Sequence, residues 1–217
     1  MSAPANTGPL ARQLSDAMAA IHRRGWCDGT GGNFSCVLSR EPLLLLMAPS
    51  GVDKGGVADT DLIVVDDAAR VRRGSGRASA ETLLHLAIVQ ETGAGAVLHT
   101  HSQAGTLLSR HYGPLPPGEG VGQLELADLE MLKGLRGIHT HATRIAVPVL
   151  GNDQDLEQLS RRAAPLLKQA PQGLLIAGHG LYAWGEDLRE ATRHLEILEF
   201  LLEQHWRQLL LQAVQCR

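Results

Sequence analysis

Ala94-Gly95-Ala96-Val97-Leu98-His99-Thr100-His101 is the stretch on which the fold turns. A short apolar run bounded by a glycine reads as a buried strand. Strand side chains alternate between faces, so His99 and His101 leave the sheet on the same side. One divalent cation could accept both rings. The same pair also reads as two hydrogen-bonded core histidines, because a motif of two residues is short.

Working outward, residues 80–92 have Leu83, Leu84, Ala87 and Ile88 at helical spacing, with Ser79 as a cap before them and Gly93 as the stop. Beyond the strand, residues 102–111 read as a helix, 112–120 as a Pro/Gly-rich loop and 128–135 as a short helical turn. Toward the N-terminus, 10–24 form a helix stopped by Gly25. Residues 34–38 and 43–48 make a hairpin around Arg40-Glu41-Pro42, and 62–65 form a further strand. Residues 70–76, with Arg72 and Arg73, read as a loop. Toward the C-terminus, strands are expected at 145–150, 173–177 and 181–184, with a helix at 153–169 and a hairpin around Gly178-His179-Gly180. Residues 187–212 place Leu188, Ala191, Leu195, Leu198, Leu201 and Leu202 on one face of a long amphipathic helix, whose end suits an oligomer contact. The whole reads as one α/β domain over residues 1–217, with residues 1–9 a loose terminus.

Composition narrows the function. The chain has 217 residues, 44% of them hydrophobic, enough for one sizeable core. With 20 Lys+Arg against 23 Asp+Glu, the net charge of -3 gives no electrostatic reason to expect nucleic acid or an anionic membrane. Cys27, Cys36 and Cys216 lack paired spacing, which argues against a disulfide framework and for a reducing compartment, the cytoplasm. No apolar run approaches the roughly 18 residues of a membrane span.

Several residues could carry chemistry. Gly29-Thr30-Gly31-Gly32-Asn33 would let backbone N–H groups approach an anion, with Thr30 and Asn33 adding donors. This is neither a P-loop nor a dinucleotide fingerprint, and such a glycine-rich stretch standing alone is more often just a turn. Ser50-Gly51 and Ser79 supply two more polar turns that could converge on one phosphate, or serve only as turn and cap. His179 between two glycines is the third metal candidate, and three neutral imidazoles make a catalytic zinc site with an open position. His139-Thr140-His141 repeats the spacing without a buried strand before it. Glu81 lies in a first helical turn, where the helix dipole alone favours it. Glu130 is either a solvated residue or, if its apolar neighbours bury it, a carboxyl raised toward proton transfer.

Gly32-Asn33-Phe34-Ser35, Pro49-Ser50-Gly51, Ser79-Ala80-Glu81, His99-Thr100-His101-Ser102 and Gly178-His179-Gly180-Leu181 occur in an order and spacing that resemble the class II aldolase and epimerase superfamily. The likeness runs from about Leu10 to about Glu203. Gly25-Trp26, Leu129-Glu130-Met131-Leu132-Lys133-Gly134, and Val147-Pro148-Val149-Leu150-Gly151-Asn152 with Asp153-Gln154-Asp155 are most similar to its dehydratase branch. The resemblance implies a three-layer α/β/α fold with a mainly antiparallel sheet. It further implies a homotetramer with sites near subunit interfaces, and one Zn2+ per subunit on His99, His101 and His179. A sugar phosphate would be held by Thr30, Gly32, Asn33, Ser50, Gly51 and Ser79, and Glu130 would be the acid/base. Glu81 is a second catalytic candidate, since aldolase relatives use a glutamate there. Ala78 departs from the proline often found before the Ser79 position. The rival activities are a class II aldolase or pentulose-phosphate epimerase, and a metal-free interaction module of the kind found in adducin heads.

Overall fold

The computed structural model describes residues 8–114 and 120–216. In chain order the strands are β1 (Asn33–Arg40), β2 (Leu43–Met47), β3 (Ile63–Asp66), β4 (Val71–Arg73), β5 (Ala96–Thr100), β6 (Val121–Ala127), β7 (Arg144–Leu150), β8 (Gly173–Ile176) and β9 (Gly180–Gly185). The helices are α1 (Gly8–Arg23), α2 (Thr82–Thr92), α3 (Gln103–His111), α4 (Leu156–Leu167) and α5 (Leu188–Gln215). All nine strands form one sheet in the order β4-β3-β2-β1-β5-β9-β8-β7-β6, so the histidine strand β5 is the central one. Every pairing is antiparallel except β7 with β8.

Alternation along the strands divides the core into two layers. Phe34, Cys36, Ala96, Leu98, Leu181 and Ala183 face one side, where they pack with α1, α3 and α5. Leu45, Met47, Ile63, Val97, Tyr182 and Trp184 face the other, against α2 and α4. Leu195, Leu198, Leu201 and Leu202 of α5 are all buried, and truncating any one to alanine should cost about 2–5 kcal/mol. The helices begin on side-chain caps where the sequence offers them. Ser102 accepts from the Gly105 amide, Asp155 from that of Gln158 and Asp187 from that of Glu190. Gly93 closes α2 in the left-handed conformation.

Two strands depart from expectation. The segment read as a loop at 70–76 contains β4, whose Val71 pairs with Val65. A short edge strand bearing two arginines carries little hydrophobic pattern, as suits a protected sheet edge. β6 had no counterpart in the reading. Only Leu124 and Leu126 of its residues are buried, so the alternation is brief and follows directly on a turn-rich segment. α1 starts at Gly8, inside the stretch assigned to a loose terminus, and residues 1–7 of that stretch lie outside the described residues, as do 115–119 of the expected 112–120 loop. α2 begins two residues later than expected, because Ser79 accepts from the Glu81 amide in a turn ahead of the helix.

Candidate active site

β5 delivers its histidines to the end of the sheet where the β8–β9 hairpin turns. His99 is fully buried and pairs across the ladder with Tyr182, whose ring stacks on the imidazole at 3.9 Å between centroids and 10° between planes. His101 follows the last residue of β5, and its amide donates to the Trp26 carbonyl at 2.7 Å. That bond ties the start of the glycine-rich loop to the histidine strand. His179 sits at the hairpin tip, where its carbonyl accepts from Thr106 Oγ1. The glycine after it is obligatory for space: a Cβ on Gly180 would collide with the Thr100 carbonyl.

The three rings converge. His99 Nε2 lies 2.8 Å from His101 Nε2 and 3.3 Å from His179 Nε2. Glu81 Oε1 joins them at 3.0 Å from His179 Nε2 and 3.6 Å from His99 Nε2, and one ligand atom from each of the four residues lies within 4.8 Å of the rest. Tautomers follow from the surroundings. His99 Nδ1 lies 2.9 Å from the Leu181 carbonyl, which can only accept, so Nδ1 carries the proton and Nε2 presents a lone pair. Burial, reinforced by neighbouring imidazoles, pushes His101 down to about 3, and burial also lowers His99. Three imidazole nitrogens converging beside a carboxylate are a donor set for a divalent cation. Tetrahedral coordination at 2.0–2.1 Å would put ligand nitrogens about 3.3 Å apart, the separation found between His99 and His179. The residues fit a metal.

Glu81 makes no capping bond to α2. Its carboxylate turns to His179 on one oxygen and to Asn33 Nδ2 on the other. Burial acts to raise its pKa, but hydrogen bonding, that of His179 first, outweighs this and holds it well below the usual carboxylate range. Asn33 Nδ2 also reaches Ser79 Oγ at 3.3 Å, so two of the anion-loop candidates meet beside the imidazoles. The Ser50 amide donates to the Arg77 carbonyl, bringing the Ser50-Gly51 turn alongside Ser79. Gly31 lies against His101, where an added Cβ would stand 2.8 Å from Nδ1, and Gly32 has φ +77 and abuts the His99 carbonyl. Thr30 and Gly51 are exposed at the mouth of this cradle.

Glu130 stands apart. It begins a 3-10 turn after β6, four strand positions from β5, about 19 Å at ordinary strand spacing. The registers put Thr100, Leu181, Ile176, Leu150 and Val121 along one end of the sheet and Ala127, three residues before Glu130, at the other. Its side chain is 72% exposed and pairs with Lys133 at 2.6 Å, with His141 at 3.7 Å. The Lys133 hydrogen bond and charge lower its pKa, so the burial that would raise it is not supplied within this chain.

Two site residues carried no signal in the sequence. Tyr182 is one residue among several apolar ones in β9, and only its pairing with His99 brings it to the cluster. Lys54 sits in Val52-Asp53-Lys54-Gly55-Gly56, which looks like a solvated turn, yet its side chain is 1% exposed and its ammonium donates to the Thr30 and Val52 carbonyls.

The chain is similar to known proteins over most of its length. A methylthioribulose-1-phosphate dehydratase of Pectobacterium atrosepticum is 40% identical over 208 residues, covering 93% of this chain and 97% of that protein. The dehydratase of the same name from Stenotrophomonas maltophilia is 42% identical over 199 residues, covering 91% and 90%. Among solved structures, an L-fuculose 1-phosphate aldolase superposes with a TM-score of 0.75 at 22% identity over 94% of this chain and 87% of that one. The L-fuculose-1-phosphate aldolase of Thermus thermophilus gives 0.73 at 24% identity over 94% and 98%. At these identities the structural likeness is one of fold. Residues 12–206 match the Class II Aldolase and Adducin N-terminal domain, and with relatives this similar over nearly its whole length the chain belongs to that family.

Proposed function

We propose that this chain is a zinc-dependent hydro-lyase that converts 5-methylthioribulose 1-phosphate to 5-methylthio-2,3-dioxopentyl 1-phosphate and water, a cytoplasmic step of methionine salvage. The observation that carries the reading is the convergence of His99, His101 and His179 beside Asn33 and Ser79. The names of the relatives select dehydration among the reactions such a site can perform.

His99, His101 and His179 would hold a zinc ion, which when bound would supply Lewis-acid polarisation of the substrate's C2 carbonyl and C3 hydroxyl oxygens. The cradle of Thr30, Gly32, Asn33, Ser50, Gly51 and Ser79 holds the phosphate, so binding energy from a remote group fixes the position of C3. Glu130 removes the C3 proton and returns it to the C4 hydroxyl, which leaves as water; the resulting enol ketonises to the diketone. Since Glu130 is exposed and at the far end of its own sheet, it serves the site of a neighbouring copy, in keeping with a homotetramer whose sites lie near subunit interfaces. Leu210, Leu211 and Val214, exposed along the end of α5, supply apolar surface for such an assembly.

Glu81 favours a second reading. It is the carboxylate that this chain itself brings to the imidazoles, and as acid/base there it would suit an aldolase or epimerase acting at C3–C4. Incubating the zinc-loaded protein with 5-methylthioribulose 1-phosphate separates the two. A diketone formed with loss of one water is expected; aldehyde fragments or an epimeric pentulose phosphate would replace the dehydratase with its rival.

A further inference from the structure

We propose that Lys54 is the positioning residue of the phosphate cradle, a buried cation that holds its two turns in one geometry for a phosphomonoester. The inference rests on the reading of that cradle given above. Lys54 Nζ donates to the Thr30 carbonyl at 3.1 Å and to the Val52 carbonyl at 2.9 Å. The first belongs to the glycine-rich loop and the second to the turn that carries Ser50 and Gly51. These are the two halves of the cradle, and they are 20 residues apart between Thr30 and Ser50 in sequence. Two of the ammonium's three protons are accounted for by these bonds.

Burying an ammonium costs several kcal/mol unless its charge is used. Two neutral carbonyls offset that cost in part, and a methionine would fill the same space without it. A dianionic phosphoryl group between the turns supplies the missing counter-charge. It gains from a cation set in low dielectric, where attraction is stronger than at the surface. Glu81 and Asp53 act on Lys54 through their charge, but the hydrogen bonds of its ammonium among the described residues go to the two carbonyls and to neither carboxylate. Lys54 acts through Thr30 and the Ser50-Gly51 turn, so it should govern binding much more than turnover.

The test uses full-length zinc-loaded protein, wild type and Lys54→Met. Inorganic phosphate is titrated by calorimetry, and KM and kcat are measured with 5-methylthioribulose 1-phosphate. Expected is a loss of phosphate affinity of about 10–100-fold, the scale of a charge-assisted interaction. KM should rise in parallel, kcat should change far less, and zinc content should stay the same. A folded variant that binds phosphate as tightly as wild type overturns the proposal. If Lys54→Met does not fold, crystals of the wild type grown with phosphate decide: an ion between the Thr30 and Ser50-Gly51 turns supports it, and an ion bound elsewhere overturns it. Failure of the dehydratase reading is separately visible, because a chain that yields no diketone but loses phosphate affinity on Lys54→Met retains this role for the lysine.

Discussion

The two ends of the central sheet treat their carboxylates in opposite ways. At the end where β5 stops, Glu81 is drawn in among imidazoles and held ionised by them. Near the other end Glu130 points into solvent and is satisfied by Lys133. A group able to hold a metal needs several side chains at fixed separations, and a single chain builds such a group from rigid strand ends and a glycine-flanked hairpin. A proton-transfer group needs only to arrive at the substrate, and a second copy can bring it. The contrast makes separable predictions.

His99→Ala should have the largest effect. It removes the proposed ligand whose tautomer is set by the Leu181 carbonyl, so a protein that holds zinc as proposed should lose the stoichiometric metal and about 10³-fold or more in turnover. Metal analysis of the purified variant is the check, and a full retained equivalent would sink the ligand assignment. Glu130→Gln should keep zinc and fold while losing about 10²–10⁴-fold in kcat. Mixing the two inactive variants by joint refolding tests where Glu130 acts. If it serves a neighbour, about a quarter of sites in a random oligomer combine an intact histidine set with an intact glutamate, and activity returns to about that fraction. No recovery on mixing would place Glu130 in the service of its own chain or of none.

Glu81→Gln comes next and sharpens the same contrast. Removing the charge beside His179 should weaken metal affinity about 10–100-fold, with turnover largely regained at saturating zinc. Should Glu81→Gln at saturating zinc lose more turnover than Glu130→Gln, the acid/base role passes to Glu81 and the aldolase or epimerase reading gains.

Legibility followed the same division. Ala96–Thr100, the α5 stripe and the Gly178-His179-Gly180 hairpin carry period and punctuation in the sequence, and each formed as read. β4 and β6 did not show themselves, being edge strands with one face in solvent. The spacing of His99 and His101 implied a shared face, but the approach of His179 depends on β9 lying next to β5, which is a long-range pairing. Lys54 was invisible for a different reason. A lysine between an aspartate and two glycines has the composition of a surface turn, and only tertiary packing buries it. Glu130 was legible as a motif and not as a position, because nothing local says which end of the sheet a turn will occupy.

The last contrast belongs to α5, which itself joins the two ends. Near its start Glu190 is tied to Arg136 and to the Glu186 amide, bonds that outweigh burial and lower its pKa. Two and a half turns on, Glu199 is 2% exposed and accepts from Thr100 Oγ1, and burial raises it to about 7 despite that bond. The signs are opposite. Glu190 contributes stability that is present above its unfolded pKa and lost as pH falls. Glu199 contributes stability that is complete below its unfolded value and lost as pH rises through about 7. A rise from 4.5 to about 7 corresponds to up to about 3 kcal/mol. Urea unfolding of wild type and Glu199→Gln, each with zinc content checked, should therefore diverge with pH. Between about pH 5 and about pH 8 the wild type should lose more stability than the variant, by up to about 3 kcal/mol, because glutamine has no proton to give up. Parallel profiles would mean that Glu199 ionises as easily in the folded chain as in the unfolded one, and that the imidazole end of α5 is wetter than its packing implies.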